Sequence, residues 1–305
     1  MRIVLIGQAA FAEKVLETLV ERREEVVGLY TLPDTPGRAN PLKDLAIKLG
    51  ITVFQPEKMR GPQVFDDYQK LVPDLNILAY VTDILPVRIL NYPRFGSICY
   101  HPSLLPKHRG GSAINWAIIN GDTKTGITIL WPDKGIDTGH ILLQKEAEIA
   151  PDDTVGSLYY NKLFPLGVEA IVESIELIEE GKAPRIPQDE SQATYEKLCM
   201  EDDARIDWTW PAVQVYNLIR GTNPQPGAAT MFRSKRLKIF DSELVPGSVG
   251  GSPGTVISIT SKGFSVSARG GAILIKRVQI DGEPKIASID FIERVRLGVG
   301  DVLGE

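Results

Sequence analysis

Ile3-Val4-Leu5-Ile6-Gly7-Gln8-Ala9-Ala10-Phe11 is the stretch from which the fold of this chain is read. Four aliphatic residues running into a glycine suit a strand buried on both faces of a parallel sheet. The apolar positions that follow, Phe11, Val15, Leu16, Leu19 and Val20, fall on one helical stripe. The same alternation then repeats. Val26–Tyr30 reads as strand, Leu42–Leu49 as a helix stopped by Gly50, and Ile51–Phe54 as strand. Val64–Leu71 reads as helix, Leu75–Val81 as strand, Leu85–Leu90 as a short helix and Ser97–His101 as strand. Strand and helix in strict alternation predict an open α/β fold, a parallel-type sheet wound with helices on both faces.

Further along, Ser112–Asn120 is predicted helical and closed by Gly121, and Thr125–Trp131 and His140–Ile149 are predicted strands flanking a Gly-rich turn. A helix starting at Pro151-Asp152-Asp153-Thr154 is expected to run to Glu180 with a bend at Pro165. Residues 182–204, rich in Pro, Gln, Ser and Asp, read as a connector. Beyond them lie one helix, Val213–Arg220, and short alternating strands broken by Ser261-Lys262-Gly263 and Arg269-Gly270-Gly271, the pattern of a small antiparallel β-barrel. The expected organisation is an α/β domain over 1–204 and a barrel over 205–305.

Composition bounds the function. A chain of 305 residues with 43% hydrophobic and 24% charged residues can bury a full core, which excludes disorder as its main state. The net charge of -5 argues against a chain that binds polyanions over its whole surface. The charge is uneven, however: residues 205–305 carry 13 Lys+Arg against 9 Asp+Glu, or +4, leaving -9 on the first 204. Two cysteines, Cys99 and Cys199, are too few for a disulfide scaffold. No apolar run approaches the ~20 residues that span a bilayer, and the apolar start after Arg2 is shorter than the ~7–15 residues of a signal-peptide core. A soluble cytoplasmic protein is expected.

Three segments offer chemistry. Gly7-Gln8-Ala9-Ala10-Phe11-Ala12 is a dinucleotide-binding fingerprint with two of its glycines replaced, and no acid ends the second strand; a plain strand–turn–helix corner is favoured. His101 closes an apolar strand, where open α/β sheets bind ligands, and Pro102 keeps it extended. Read alone, it is better taken as a core histidine bonded to backbone. Asp133-Lys134-Gly135-Ile136-Asp137-Thr138-Gly139 brackets acids between glycines after another apolar strand. As a pair, Asp137 and His101 give an imidazole oriented by a carboxylate, a proton-shuttling arrangement. The histidine spacing matches no metal site, and the phosphate-binding loop motif is absent.

The run Tyr100-His101-Pro102-Ser103-Leu104-Leu105-Pro106-Lys107-His108-Arg109-Gly110-Gly111-Ser112-Ala113-Ile114-Asn115-Trp116, followed by Gly135-Ile136-Asp137-Thr138-Gly139, resembles the folate-dependent formyltransferase family. Within it, the resemblance is to the amino-terminal hydrolase domain of 10-formyltetrahydrofolate dehydrogenase. Supporting pieces, among them Asn40-Pro41-Leu42, Pro151-Asp152-Asp153-Thr154-Val155 and Arg220-Gly221, extend it along the whole chain. The expectation is that the chain ends where that domain ends.

The resemblance implies a Rossmann-like domain followed by an OB-like barrel. It implies 10-formyltetrahydrofolate as formyl-donor substrate, with no tightly bound cofactor and no metal. It implies His101 and Asp137 as catalytic residues, and a folate pocket from Asp83, Ile84 and Leu85 together with the loop Ser103, Leu104, Leu105 and Pro106. Lys107, His108 and Arg109 would either contact an anionic folate tail or form a solvated loop. The family's transferases carry Asn two residues before the histidine, where this chain has Cys99. Residues i and i+2 of a strand share a face, so Cys99 lines the site beside His101. A thiol is a weaker donor to an oxyanion than an amide, and the hydrolase domain also lacks the Asn; both points favour water as acceptor. A thioformyl intermediate on Cys99 is the covalent alternative. Transfer to an amine, on methionyl-tRNA or an amino sugar, is the other. The loop Pro33-Asp34-Thr35-Pro36-Gly37-Arg38-Ala39-Asn40, with one basic residue, is shorter and less basic than that of the tRNA enzymes. Partners would be a folate small molecule, tRNA only under transfer, and no membrane.

Overall fold

In the computed structural model, which describes residues 1–247 and 250–304, β1 (Arg2–Gly7) buries Ile3, Val4 and Leu5 completely. That is the environment a strand without polar alternation requires. α1 (Ala9–Glu21), β2 (Glu25–Tyr30), α2 (Pro41–Lys48), β3 (Val53–Phe54), α3 (Val64–Gln69), β4 (Leu75–Ala79), α4 (Val87–Leu90) and β5 (Ser97–His101) follow. After a two-residue strand, β6 (Arg109–Gly110), come α5 (Ala113–Ile119), β7 (Lys124–Trp131) and β8 (His140–Glu148).

The main sheet has the order β3-β2-β1-β4-β5-β7-β8. Its first five strands pair in parallel, as the alternation predicts. β7 lies antiparallel to β5, so the sheet is parallel-rich and mixed. The chain travels outward from β1 to β3, then returns to lay β4 on the other side of β1. This reversal opens a crevice at the carboxyl ends of β1 and β4. Gly7 sits there for a packing reason: a Cβ on it would come 2.3 Å from the Ala79 carbonyl oxygen.

Local chemistry explains most boundaries. Asn40 caps α2 by accepting from the Lys43 amide at 3.3 Å, with Pro41 pre-set at the first turn. The helix expected from Leu85 starts at Val87, because Pro86 is extended and disfavours a helical Leu85 before it. The single helix expected up to Glu180 is instead α6 (Val155–Leu158), a π-helical turn over Tyr159–Leu163, and α7 (Phe164–Glu179). Pro165 has no N–H to return to the preceding turn, so the irregularity falls before the proline.

Two compact units emerge. The first holds residues 1–109, 126–147 and 162–195; the second holds 110–125, 148–161 and 196–305. In the second, α8 (Ala212–Gly221) lies beside α5, where Asn115 donates to the Gly221 carbonyl at 2.9 Å. Its strands form two four-stranded antiparallel sheets. One has the order Ala228–Phe232, Lys235–Ile239, Arg277–Ile280, Ile286–Ala287; the other has Ser242–Pro246, Gly271–Ile275, Gly263–Ala268, Val256–Thr260. Val215, Ile219, Leu237, Phe264, Ile273 and Phe291 belong to its buried core. The antiparallel β module expected of this half is therefore present.

Candidate active site

His101 is the last residue of β5 and is buried. It stands opposite Thr128 in the register, while Cys99 stands opposite Leu130. Because β7 runs the other way, its carboxyl end at Trp131 lies past the Cys99–Leu130 pair, away from His101. The 132–139 loop has to double back for Asp137 to reach the imidazole. It does: Asp137 Oδ2 lies 3.4 Å from His101 Nδ1. Asp137 takes a left-handed backbone conformation, φ 55°, which Asp tolerates better than most side chains.

The other ring nitrogen, Nε2, is 2.8 Å from the His108 carbonyl oxygen. A carbonyl only accepts, so Nε2 carries a proton. Nδ1 is thus the ring nitrogen turned to the carboxylate. At 3.4 Å the pair is looser than the ~2.7–2.9 Å of a tight charge-assisted bond.

Cys99 is partly buried and packs against the apolar cluster containing Leu78, Leu85 and Ile89. Its Sγ lies 3.7 Å from the Tyr100 carbonyl oxygen. Burial, and after it the negative charge of Asp137, push the thiol well above its ordinary range.

The other segments singled out in the sequence divide. Asp83 lines the cleft at the carboxyl ends of β1 and β4, with Gln8, Thr31 and Glu57. Its carboxylate is fixed by two backbone amides, Met59 at 2.7 Å and its own neighbour Ile84 at 2.9 Å. Ile84 is exposed, and Leu85 is buried in the apolar cluster below. Ser103 and Leu105 turn inward. Ser103 Oγ donates to the Lys107 carbonyl at 2.6 Å, and the Thr128 hydroxyl bonds both the Ser103 carbonyl and the Leu105 amide. Leu104 and Pro106 are partly buried. This loop folds back so that the His108 carbonyl meets the imidazole.

Lys107 is exposed, whereas His108 and Arg109 are buried. Arg109 has no exposed surface. Its guanidinium grips Glu190 through two bonds of 2.9 and 2.7 Å and donates to the Tyr195 hydroxyl at 2.6 Å. It also makes two bonds to Gln188 Oε1, at 3.0 and 2.8 Å. The Gln188 amide in turn donates to the carbonyls of Asp137 at 2.8 Å and Gly139 at 2.7 Å. Sequence reading passed over Gln188 because it sits in an irregular, polar stretch. Among the described residues no group of three or more His, Cys, Asp or Glu could hold a metal ion, and no helix is long and apolar enough to cross a membrane.

Known proteins give this geometry a family. The formyl transferase profile matches residues 1–175, and the formyl transferase C-terminal domain profile matches 199–296. Human cytosolic 10-formyltetrahydrofolate dehydrogenase is 47% identical over 249 residues, which cover 80% of this chain but 28% of that protein, so the chain spans about a quarter of that relative's length. Methionyl-tRNA formyltransferase of Geotalea daltonii is 38% identical over 310 residues, covering 100% of this chain and 98% of that one. Among solved structures, HypX from Aquifex aeolicus in complex with tetrahydrofolic acid superposes with a TM-score of 0.70 at 22% identity, over 99% of this chain and 48% of HypX. Profiles over both halves, a relative matched along its full length and the shared fold agree: the chain belongs to the formyl transferase family.

Proposed function

We propose that the chain is a 10-formyltetrahydrofolate-dependent enzyme that hydrolyses the formyl group to give formate and tetrahydrofolate. The observation that carries the reading is the His101–Asp137 pair, with Nε2 engaged by the His108 carbonyl and Nδ1 turned to the carboxylate. The donor is supported by relatives whose names carry 10-formyltetrahydrofolate and by the tetrahydrofolate-bound neighbour. In this reading Asp137 takes a proton from a water whose oxygen attacks the formyl carbon. The carbonyl electron pair moves onto its oxygen, and His101, protonated in this reading, stabilises that charge. The carbon–N10 bond then breaks, N10 takes the proton held by Asp137, and formate leaves. Asp83, Ile84, Leu85 and the Ser103–Pro106 loop form the folate pocket, Cys99 fills space beside the imidazole, and no metal or tightly bound cofactor takes part. The catalytic part is 1–204 and the barrel part 205–305, in a cytoplasmic enzyme.

Water as acceptor is favoured by Cys99, which gives no amide to an oxyanion and whose raised thiol is a poor nucleophile. Amine transfer is the second reading, favoured by the match along 98% of a methionyl-tRNA formyltransferase. The test is to incubate the pure protein with 10-formyltetrahydrofolate alone, then with methionyl-tRNA or amino sugars, following formate and tetrahydrofolate. Formate release without an amine supports hydrolysis; tetrahydrofolate produced only with an amine overturns it.

A further inference from the structure

We infer that Gln188, locked by Arg109, is a positioning residue that sets Asp137 against His101; the inference rests on the proposed roles of that pair. The 132–139 loop reaches back from the far end of β7, and residues 133–136 within it are exposed. Nothing about such a loop fixes a carboxylate to a fraction of an ångström. Local bonds stiffen its first half: the Asp133 carboxylate accepts from the Gly135 amide at 2.8 Å and the Thr138 hydroxyl at 2.7 Å. The second half is held from outside, where one Gln188 NH2 group donates to the carbonyls on either side of Thr138, those of Asp137 and Gly139.

The direction of that amide is forced. Its oxygen is occupied by two guanidinium N–H donors of Arg109, so its nitrogen has to face the loop. Arg109 is itself immobilised by the paired bonds to Glu190, by Tyr195 and by full burial. The residue before it, His108, supplies the carbonyl that fixes His101 Nε2. Two consecutive residues thus hold both members of the pair: His108 holds the imidazole through its backbone, and Arg109 holds the carboxylate loop through Gln188. Supporting groups of this kind act on rate through geometry and leave substrate contacts alone.

The experiment measures formate release from 10-formyltetrahydrofolate by the wild type, Gln188→Ala, Gln188→Glu, Asp137→Ala and the double variant Asp137→Ala/Gln188→Ala. Gln188→Glu keeps an acceptor for Arg109 and removes both donations to the loop, so it serves where Gln188→Ala fails to fold; tetrahydrofolate binding reports folding in each variant. The expected result is a kcat about 10–100-fold lower for both single Gln188 variants, with KM little changed. Adding Gln188→Ala to Asp137→Ala is expected to cost nothing more, because the residue acts through Asp137. Wild-type kcat in folded Gln188 variants beside a dead Asp137→Ala overturns the inference and leaves the dyad standing, as does a fully additive double variant. Retained turnover in Asp137→Ala removes the dyad and the inference with it.

Discussion

Cys99→Ala separates two chemistries that the sequence alone leaves open. A nucleophilic cysteine reacts as its thiolate. At an ordinary pKa of about 8.5, roughly 3% is thiolate at pH 7, and each unit of upward shift divides that by ten. Cys99 is shifted upward, first by burial and then by Asp137. His101 offers it no free ring nitrogen as a base, since Nε2 is bonded to the His108 carbonyl at 2.8 Å and Nδ1 faces Asp137. On this reading the thiol is a small packing group. Cys99→Ala should keep hydrolysis within about tenfold, a barrier change of ~1.4 kcal/mol, and lower stability by about 1 kcal/mol for one lost buried atom. Cys99→Asn should restore an amide donor and raise transfer to an added amine. The assay is single turnover with 10-formyltetrahydrofolate, following formate and the intact mass of the protein. A dead Cys99→Ala enzyme together with a formyl adduct on Cys99 in the wild type would refute the reasoning and replace water attack with covalent catalysis.

Three further outcomes are expected. His101→Ala and Asp137→Ala should each lower turnover by about 10²–10⁴-fold while tetrahydrofolate still binds by calorimetry; near-full turnover in either variant removes that residue from the chemistry. Gly7→Ala drives a Cβ to 2.3 Å from the Ala79 carbonyl oxygen, so β1 and β4 must part, at a cost of about 1–3 kcal/mol; an unchanged thermal midpoint would contradict the packing role of this glycine. Glu201 is held down to a pKa of about 2 by hydrogen bonds to Arg236 and Lys238. A depressed carboxylate stabilises the fold above its unfolded value near 4.5 and loses that contribution as pH falls toward 2. The stability gap between wild type and Glu201→Gln, read from urea midpoints, should therefore close over that interval, and a gap that persists at pH 2 would show that charge is not its origin.

Much of the first unit was legible because its signals are local. A strand buried on both faces is uniformly apolar, a helix packed on a sheet shows a stripe, and Gly50 and Gly121 mark helix ends whatever surrounds them. What stayed hidden depends on partners distant in sequence. The antiparallel placement of β7 follows from which edge of the sheet was open, since Thr125–Trp131 reads as the same apolar run in either direction. The π-helical turn reflects a missing N–H at Pro165, and the sequence shows the proline without showing where the helix yields. Arg109 reads as a solvated cation because the acid that buries it, Glu190, lies 81 residues away. Of the candidate site, His101 stood out as a polar residue closing an apolar strand and Asp137 as an acid bracketed by glycines, whereas Gln188 has no sequence signature: a glutamine in a connector looks the same whether or not it holds a loop.

The doubling back of the 132–139 loop makes a length, as well as a set of residues, part of the candidate active site. Each residue of extended chain advances by about 3.3–3.6 Å, about the whole separation between Asp137 Oδ2 and His101 Nδ1, 3.4 Å. One residue lost between Trp131 and Asp137 leaves the carboxylate roughly one such step short, and one gained lets it overshoot. On the proposed reading, the spacing from strand end to Asp137 therefore matters to function as much as the letters of the histidine and aspartate motifs do.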